Sequence, residues 1–491
     1  MKKYSTLLFF SFFLVLQAVA SPRYNDIQQK SSHNSYARDE GLLDQLIFHR
    51  VRSIELDLFR NGSSGQDWRV MHIPFFDEGS NCYSLKDCFS LLKLFDEQYP
   101  DHEVVTVWFD MKNGFSASHT PNALEGLISR YISRSDVLKP ADLFAACPSA
   151  THLRDTVTGN CAWPTLDRLK GKWIFVTTSD EYHTHSDGRL MFKADGVNTL
   201  TDVNRSSKIF LNTSSQDNNL SNNINHQGLV SRRYVLNSES AFNTAINGKV
   251  HHIATDKINF LSDWWSKTHD ANNPLAWPFR CVEHCGGRQE KVDAIGIRVN
   301  SEDISGRSDH FTFAYQKNNT EKKDWTVMSS VTSSHVDRWA KSCLMARASL
   351  RSDSPYFSVC RPSDNHSIVT QWRSDYSDKT NNYNGRFSTP GNIDQDDYSF
   401  MRLAIDNNGR CATGFGSFDG RRWELIGSKM CFSEPLQYQG IAASSHGNKE
   451  VGHIFSNLRQ RNGVIRLNDL QSKNIGTVRS AKFYESKNLS R

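Results

Sequence analysis

The stretch Ser53-Ile54-Glu55-Leu56-Asp57-Leu58-Phe59 has the side-chain period of a β-strand, with Ile54, Leu56 and Leu58 on one face and Glu55 and Asp57 on the other. Two carboxylates about 7 Å apart on the inward face of a buried strand repel each other in a low-dielectric interior. A hard divalent cation is the simplest compensation, with hydrogen bonds the alternative.

Around this strand, residues 25 to about 260 alternate short apolar runs with amphipathic stretches, the pattern of repeated β/α units and a mainly parallel sheet. Further strands are expected at Arg69–Ile73, Val104–Lys112, Trp173–Thr178 and His252–Asp256, and helices at Leu42–Arg50, Leu85–Glu97 and Asn122–Ser133. The span of about 235 residues is the usual size of a (β/α)₈ TIM-type barrel. The polar run from Asn204 to Gly228 has few apolar residues and reads as a long barrel loop.

After Trp264-Trp265 the periodicity changes. Runs such as Ala294–Val299, Phe311–Tyr315 and Phe400–Ile405, separated by turns at Asn407-Asn408-Gly409 and Asp419-Gly420, predict an all-β jelly-roll sandwich. The expected plan is a signal peptide over 1–20, a catalytic barrel over 21–262, a connector over 263–288, a sandwich over 289–462 and a basic tail over 463–491. That tail carries six Lys/Arg against two Asp/Glu.

The 491 residues leave ample chain for two large cores, and an excess of five Lys/Arg over Asp/Glu is too small and dispersed for a nucleic-acid binder. Lys2 and Lys3, the apolar run Leu7–Leu16 and Ala18-Val19-Ala20 have the form of a cleaved secretory signal, so a secreted chain starting at Ser21 is expected. No later segment reaches the roughly 18 apolar residues of a transmembrane anchor. In an oxidising compartment the ten cysteines are expected to form disulfides, paired in order as Cys82/Cys88, Cys147/Cys161, Cys281/Cys285, Cys343/Cys360 and Cys411/Cys431.

Polar residues gather at strand ends, where barrel enzymes keep their reacting groups. Alternation along Val104–Lys112 puts Thr106, Trp108, Asp110 and Lys112 on one inward face, while His72 closes one strand and His33-Asn34 follow another. Two histidines, an amide and three carboxylates on one rim supply an acid, a base and an oxygen-lined cation site.

Ser31-Ser32-His33-Asn34-Ser35-Tyr36, Ile54-Glu55-Leu56-Asp57, Val70-Met71-His72 and Val105-Thr106-Val107-Trp108-Phe109-Asp110 resemble the catalytic region of phosphatidylinositol-specific phospholipase C, particularly its calcium-dependent branch. The resemblance implies a distorted barrel enzyme, a phosphoric diester hydrolase that cleaves phosphatidylinositol lipids at a bilayer surface, with glycosylphosphatidylinositol anchors as further substrates. By position it implies His33 and His72 as catalytic residues and Asn34, Glu55, Asp57 and Asp110 as ligands of Ca²⁺, Asp110 standing where a Glu is usual. Lys112, two residues beyond Asp110 on the same face, is expected either to meet substrate phosphate as a point charge or to snorkel at the barrel mouth. Calcium is expected to lower the inositol hydroxyl pKa, one histidine or Glu55 to take the proton, and His72 to protonate the departing diacylglycerol oxygen.

Cys343–Tyr356, Gln371-Trp372-Arg373 and Ser417–Ile426 resemble concanavalin-A-like or laminin-G-like domains of secreted hydrolases, which implies a glycan ligand or a purely stabilising domain. Trp372 and Trp423 are read as packing residues ahead of sugar platforms. Two other functions fit parts of the pattern: a glycerophosphodiester phosphodiesterase, against which the missing His-Arg-Gly opening counts, and a non-catalytic adhesin, against which the intact His33, Asn34, Glu55, Asp57 and His72 count.

Overall fold

The computed structural model describes residues 21–485 apart from 61–66, 74–78, 183–187, 261, 270–272, 274, 283–293, 318–322, 332–335, 364–367, 385–399, 407, 418–419 and 461–462. The signal-like segment 1–20 and Cys285 lie outside the described residues.

The first strands are β1 (Ile27–Ser32), β2 (Ser53–Arg60), β3 (Trp68–Val70), β4 (Val105–Met111), β5 (Trp173–Thr177), β6 (Phe192–Gly196), β7 (Phe210–Thr213), β8 (Val230–Arg233), β9 (His252–Thr255) and β10 (Phe279–Cys281). Pairing of β1 with both β2 and β9 closes eight parallel strands into a barrel, while β3 and β10 run antiparallel on β2 and β1. The connections carry α1 (Leu42–Ile47), α2 (Leu85–Gln98), α3 (Pro121–Tyr131), α4 (Pro140–Ala146), α5 (Leu200–Arg205), α6 (Asn218–His226) and α7 (Glu239–Asn247). Ser84 caps α2 by accepting from the Asp87 N–H, and Thr120 followed by Pro121 opens α3 in the same way. Among the described residues no α-helix joins β5 to β6 or follows β9. The segment after β9 instead packs on β1 and α1, with Phe260 stacked on Phe48 and the Thr268 hydroxyl accepting from the Lys30 N–H at 3.2 Å.

The polar run 204–228 is not a loop. It contains β7 and α6, because Ile209, Phe210 and Leu211 suffice for a short buried strand, and Leu220 and Ile224 share one helix face. Asp217 caps α6 by accepting from the Asn219 N–H at 2.8 Å.

The remaining strands are β11 (Ala294–Ser301), β12 (Phe311–Lys317), β13 (Lys323–Val331), β14 (Lys341–Arg347), β15 (Tyr356–Pro362), β16 (Val369–Arg373), β17 (Asn381–Asn384), β18 (Phe400–Asp406), β19 (Cys411–Ser417), β20 (Glu424–Cys431), β21 (Tyr438–Ser444), β22 (Val451–Gln460), β23 (Gly463–Val464), β24 (Gln471–Ile475) and β25 (Val478–Glu485). They form two antiparallel sheets, in the orders β20-β19-β18-β13-β22-β11-β25 and β17-β16-β15-β14-β21-β12-β24. Ile295, Ile297 and Leu403 of the first meet Leu344, Phe357 and Val359 of the second in one core. The expected tail is corrected for residues 463–485. Its β24 and β25 pair with β12 and β11 at an edge of each sheet, and Ile475, Val478 and Phe483 give it apolar anchors that its charge concealed.

The sandwich docks on the α1 and α2 side of the barrel. Met328, Phe400 and Ile454 join the barrel core around Phe48, and a Cβ at Gly452 would meet the Phe48 ring at 2.7 Å. Asn457 donates to the Gln98 side chain at 2.7 Å, and Arg361 faces Asp44 at 3.4 Å. Four expected disulfides are present, Cys82/Cys88, Cys147/Cys161, Cys343/Cys360 and Cys411/Cys431. Cys281 is also disulfide-bonded.

Candidate active site

The pleat of β2 turns Glu55 and Asp57 into the barrel, 7% and 0% exposed, and leaves Ile54, Leu56 and Leu58 for the outer core. β2 and β4 pair in register with Asp57 opposite Asp110. Below them a polar layer fills the barrel, where His252 meets the Tyr24 and Ser53 hydroxyls at 2.9 Å each and the Trp108 indole N–H at 3.2 Å. Above them, beyond the end of β1, Asn34 adopts the left-handed conformation (φ 47°), which Asn tolerates, and its N–H donates to Glu55 Oε2 at 3.0 Å.

A cavity of about 630 Å³ opens at the C-terminal ends of the strands, lined by His33, Asn34, Glu55, His72, Asp110 and Lys112. Asp57 is buried beneath it, so the structure brings all seven residues singled out in the sequence to one place. Carboxylate oxygens of Glu55, Asp57 and Asp110 lie within 4.8 Å of one another. The buried Asp57 carboxylate meets the Lys112 ammonium at Oδ2, while its Oδ1 has no hydrogen-bond partner among the described residues. Three hard oxygen donors, with one buried oxygen of Asp57 left without a hydrogen-bond partner, fit a divalent cation such as Ca²⁺.

Two side-chain cations complete the cluster. Lys112 Nζ donates to Asp110 Oδ2 at 2.6 Å and lies 2.9 Å from Asp57 Oδ2, while Arg232 Nη2 lies 2.6 Å from Glu55 Oε2. Burial first, and Glu55 second, push the Asp57 carboxyl up to about 6 against the pull of Lys112. Burial opposes the charge on Lys112, but Asp57 and Asp110 outweigh it and raise the ammonium to about 12. At Asp110 burial is likewise outweighed, mainly by the Lys112 hydrogen bond, and the carboxyl is lowered.

The sequence reading missed the partners of His33. Its Nδ1 meets Asp256 Oδ1 at 2.9 Å, its Nε2 lies 3.9 Å from Glu55 Oε2, and its ring stacks on Tyr234 with centroids 6.1 Å apart. Arg38 at 3.1 Å and the Asn237 side-chain amide also hold Asp256. Burial raises the Asp256 carboxyl, but the His33 hydrogen bond and Arg38 outweigh it, so the carboxyl is lowered. Asp256 ends an expected strand, a signal that was available in the sequence. Arg232 and Tyr234, with Asn212, follow from β7 and β8, where the polar composition hid the strands.

The family model of calcium-dependent phosphoinositide phospholipase C matches residues 64–253, a span that contains His72, Asp110, Lys112, Arg232 and Tyr234. No curated protein matches the sequence. Among solved structures, a calcium-dependent phosphoinositol-specific phospholipase C from Pseudomonas sp. shares 23% identity at a TM-score of 0.44, covering 49% of this chain and 93% of that one. The calcium-dependent phosphatidylinositol-specific phospholipase C of Streptomyces antibioticus shares 16% at 0.42, covering 49% and 97%. A phosphatidylinositol-specific phospholipase C from Listeria monocytogenes shares 10% at 0.31, covering 48% and 90%. The family expected from the motifs, an enzyme family of phosphoric diester hydrolases with calcium as cofactor, is the one whose model the barrel matches.

Proposed function

We propose that this chain is a secreted, calcium-dependent phosphatidylinositol-specific phospholipase C that cleaves phosphatidylinositol lipids, glycosylphosphatidylinositol anchors included, to diacylglycerol and inositol phosphate. The observation that carries this reading is the convergence of His33, His72 and the Glu55-Asp57-Asp110 cluster in one cavity at the mouth of the barrel.

Asn34, Glu55, Asp57 and Asp110 would hold the cation. When bound, calcium supplies Lewis acidity toward the inositol 2-hydroxyl and a phosphoryl oxygen. Asp256 accepts from His33 Nδ1–H, which leaves the Nε2 lone pair facing the cavity, where it takes the proton of the attacking 2-hydroxyl. As the new P–O bond forms, His72 gives its proton to the departing diacylglycerol oxygen. The Arg232 guanidinium, held by Asn212 and stacked over Trp108 and Tyr234, adds fixed positive charge beside the phosphoryl group.

A lipid substrate is supported by the rim. Ile73, Tyr83, Leu200, Val235 and Trp264 are exposed apolar side chains in the connections that follow β2, β6, β8 and β9, and Val235 lines the cavity itself. No described helix is long and apolar enough to cross a membrane. Secretion is supported by the four disulfides and by the signal-like residues 1–20. For the concanavalin-A-like sandwich, a stabilising role is favoured over glycan recognition. Trp372 is half-buried against the sandwich core and Trp423 against the seam with the barrel, which fits packing roles.

The test incubates purified protein with phosphatidylinositol vesicles and with glycerophosphodiesters, in calcium or chelator. Calcium-dependent release of inositol phosphate from the vesicles is expected; turnover of glycerophosphodiesters alone, or of neither, overturns the reading.

A further inference from the structure

Lys112 occupies an unusual place. It stands two residues beyond Asp110, directly after the end of β4, where its N–H donates to the Leu58 carbonyl of β2 and its side chain lies over Asp57 as well. Its ammonium therefore sits against two of the three carboxylates of the cation site, 2.6 Å from Asp110 and 2.9 Å from Asp57. A divalent cation and this ammonium cannot both occupy the space between those oxygens. Two positive charges at contact distance repel strongly in a partly buried site.

The two cations of the cluster differ in freedom. Arg232 is 1% exposed and braced by Glu55, Asn212, Trp108 and Tyr234. Lys112 is a quarter exposed, lines the open cavity and hangs on a flexible four-carbon stem. It is the one built to move.

We propose that Lys112 is a tethered counter-ion of the calcium site, holding Asp57 and Asp110 in the metal-free protein and swinging into the cavity when the metal takes those oxygens. Lys112 thereby sets the calcium concentration at which the site fills, and it is a positioning residue. The inference rests on the reading of Glu55, Asp57 and Asp110 as the calcium carboxylates.

Calorimetric titration of wild-type protein and Lys112→Met with calcium separates the two claims. Lys112→Met is expected to bind calcium at least about tenfold more tightly, since the competing charge is gone while the carboxylates remain; Lys112→Arg is expected to stay close to wild type. Equal or weaker affinity in Lys112→Met overturns the counter-ion role. A wild type that shows neither heat nor thermal shift with calcium overturns the reading of the site itself. The second measurement needs no variant: reductive methylation of Lys112, followed by peptide mass spectrometry, is expected to rise several-fold when calcium releases the ammonium. Unchanged labelling in a wild type that binds calcium also overturns the proposal.

Discussion

His33 Nδ1 and Asp256 Oδ1 lie 2.9 Å apart, joining the residue after β1 to the residue after β9 across the seam where the barrel closes. The carboxylate orients the imidazole and favours the Nδ1–H tautomer, which leaves Nε2 on the Glu55 side, 3.9 Å from Oε2.

Replacing Asp256 with Asn preserves the shape and removes the charge. Turnover is expected to fall by about 10²-fold or more with unchanged calcium affinity, because the imidazole loses its preferred tautomer. His33→Ala and His72→Ala should each lose about 10²- to 10⁴-fold while melting like wild type. Steady-state rates on phosphatidylinositol with thermal melts decide this, and near-wild-type turnover in either histidine variant would remove it from the reaction.

Asp57 makes the metal-free protein sensitive to pH. An acid whose pKa rises on folding, here to about 6, binds its proton more tightly in the folded state, so stability declines as pH climbs from the ordinary value of 3.8 through 6. Metal-free Asp57→Asn should therefore be more stable than wild type at pH 7, by about 2 to 3 kcal/mol, with the difference vanishing near pH 4. Calcium should stabilise wild type and leave Asp57→Asn unmoved. Denaturant titrations at the two pH values test both statements.

At the opposite end of the barrel, Glu103 is enclosed with Arg52 at 2.6 Å and Arg50 at 2.8 Å. Burial opposes its charge, but the two arginines prevail and hold the carboxyl at about 2. This acid has a depressed folded pKa, so its contribution is complete above about 4.5 and fades as pH drops toward 2. Glu103→Gln should cost about 3 to 5 kcal/mol at pH 7 by stranding two buried guanidinium groups, and its melting temperature should fall less between pH 5 and 3 than that of wild type. Equal melting temperatures at pH 7 would show that the triad contributes nothing.

The apolar rim predicts a split between substrates. Val235→Ser combined with Trp264→Ser should weaken activity on phosphatidylinositol vesicles about tenfold or more, through lost apolar burial, and spare a soluble short-chain substrate. An equal loss on both would place these residues in folding or catalysis.

The N-terminal fold and most of the site were legible because they rest on strand periodicity. Alternation along β2 and β4 put Glu55, Asp57, Asp110 and Lys112 inward, and the structure finds them there. The run 204–228 and the residues after 462 were misread for one shared reason. Polar residues cover the exposed face of α6 and of the β24 and β25 edge strands, and composition averages them with the few apolar side chains that anchor each element.

Local chemistry thus determined which residues face the barrel interior, since a pleated strand leaves only two faces and the aliphatic one must be covered. It could not determine what those residues meet. That Asp256 orients His33 and that Arg232 holds Glu55 are outcomes of closure, whereas Lys112 meets Asp57 through the pairing of β2 with β4. Partners more than a hundred residues apart come within hydrogen-bond reach only when β9 returns to β1, and sequence spacing carries no record of that distance.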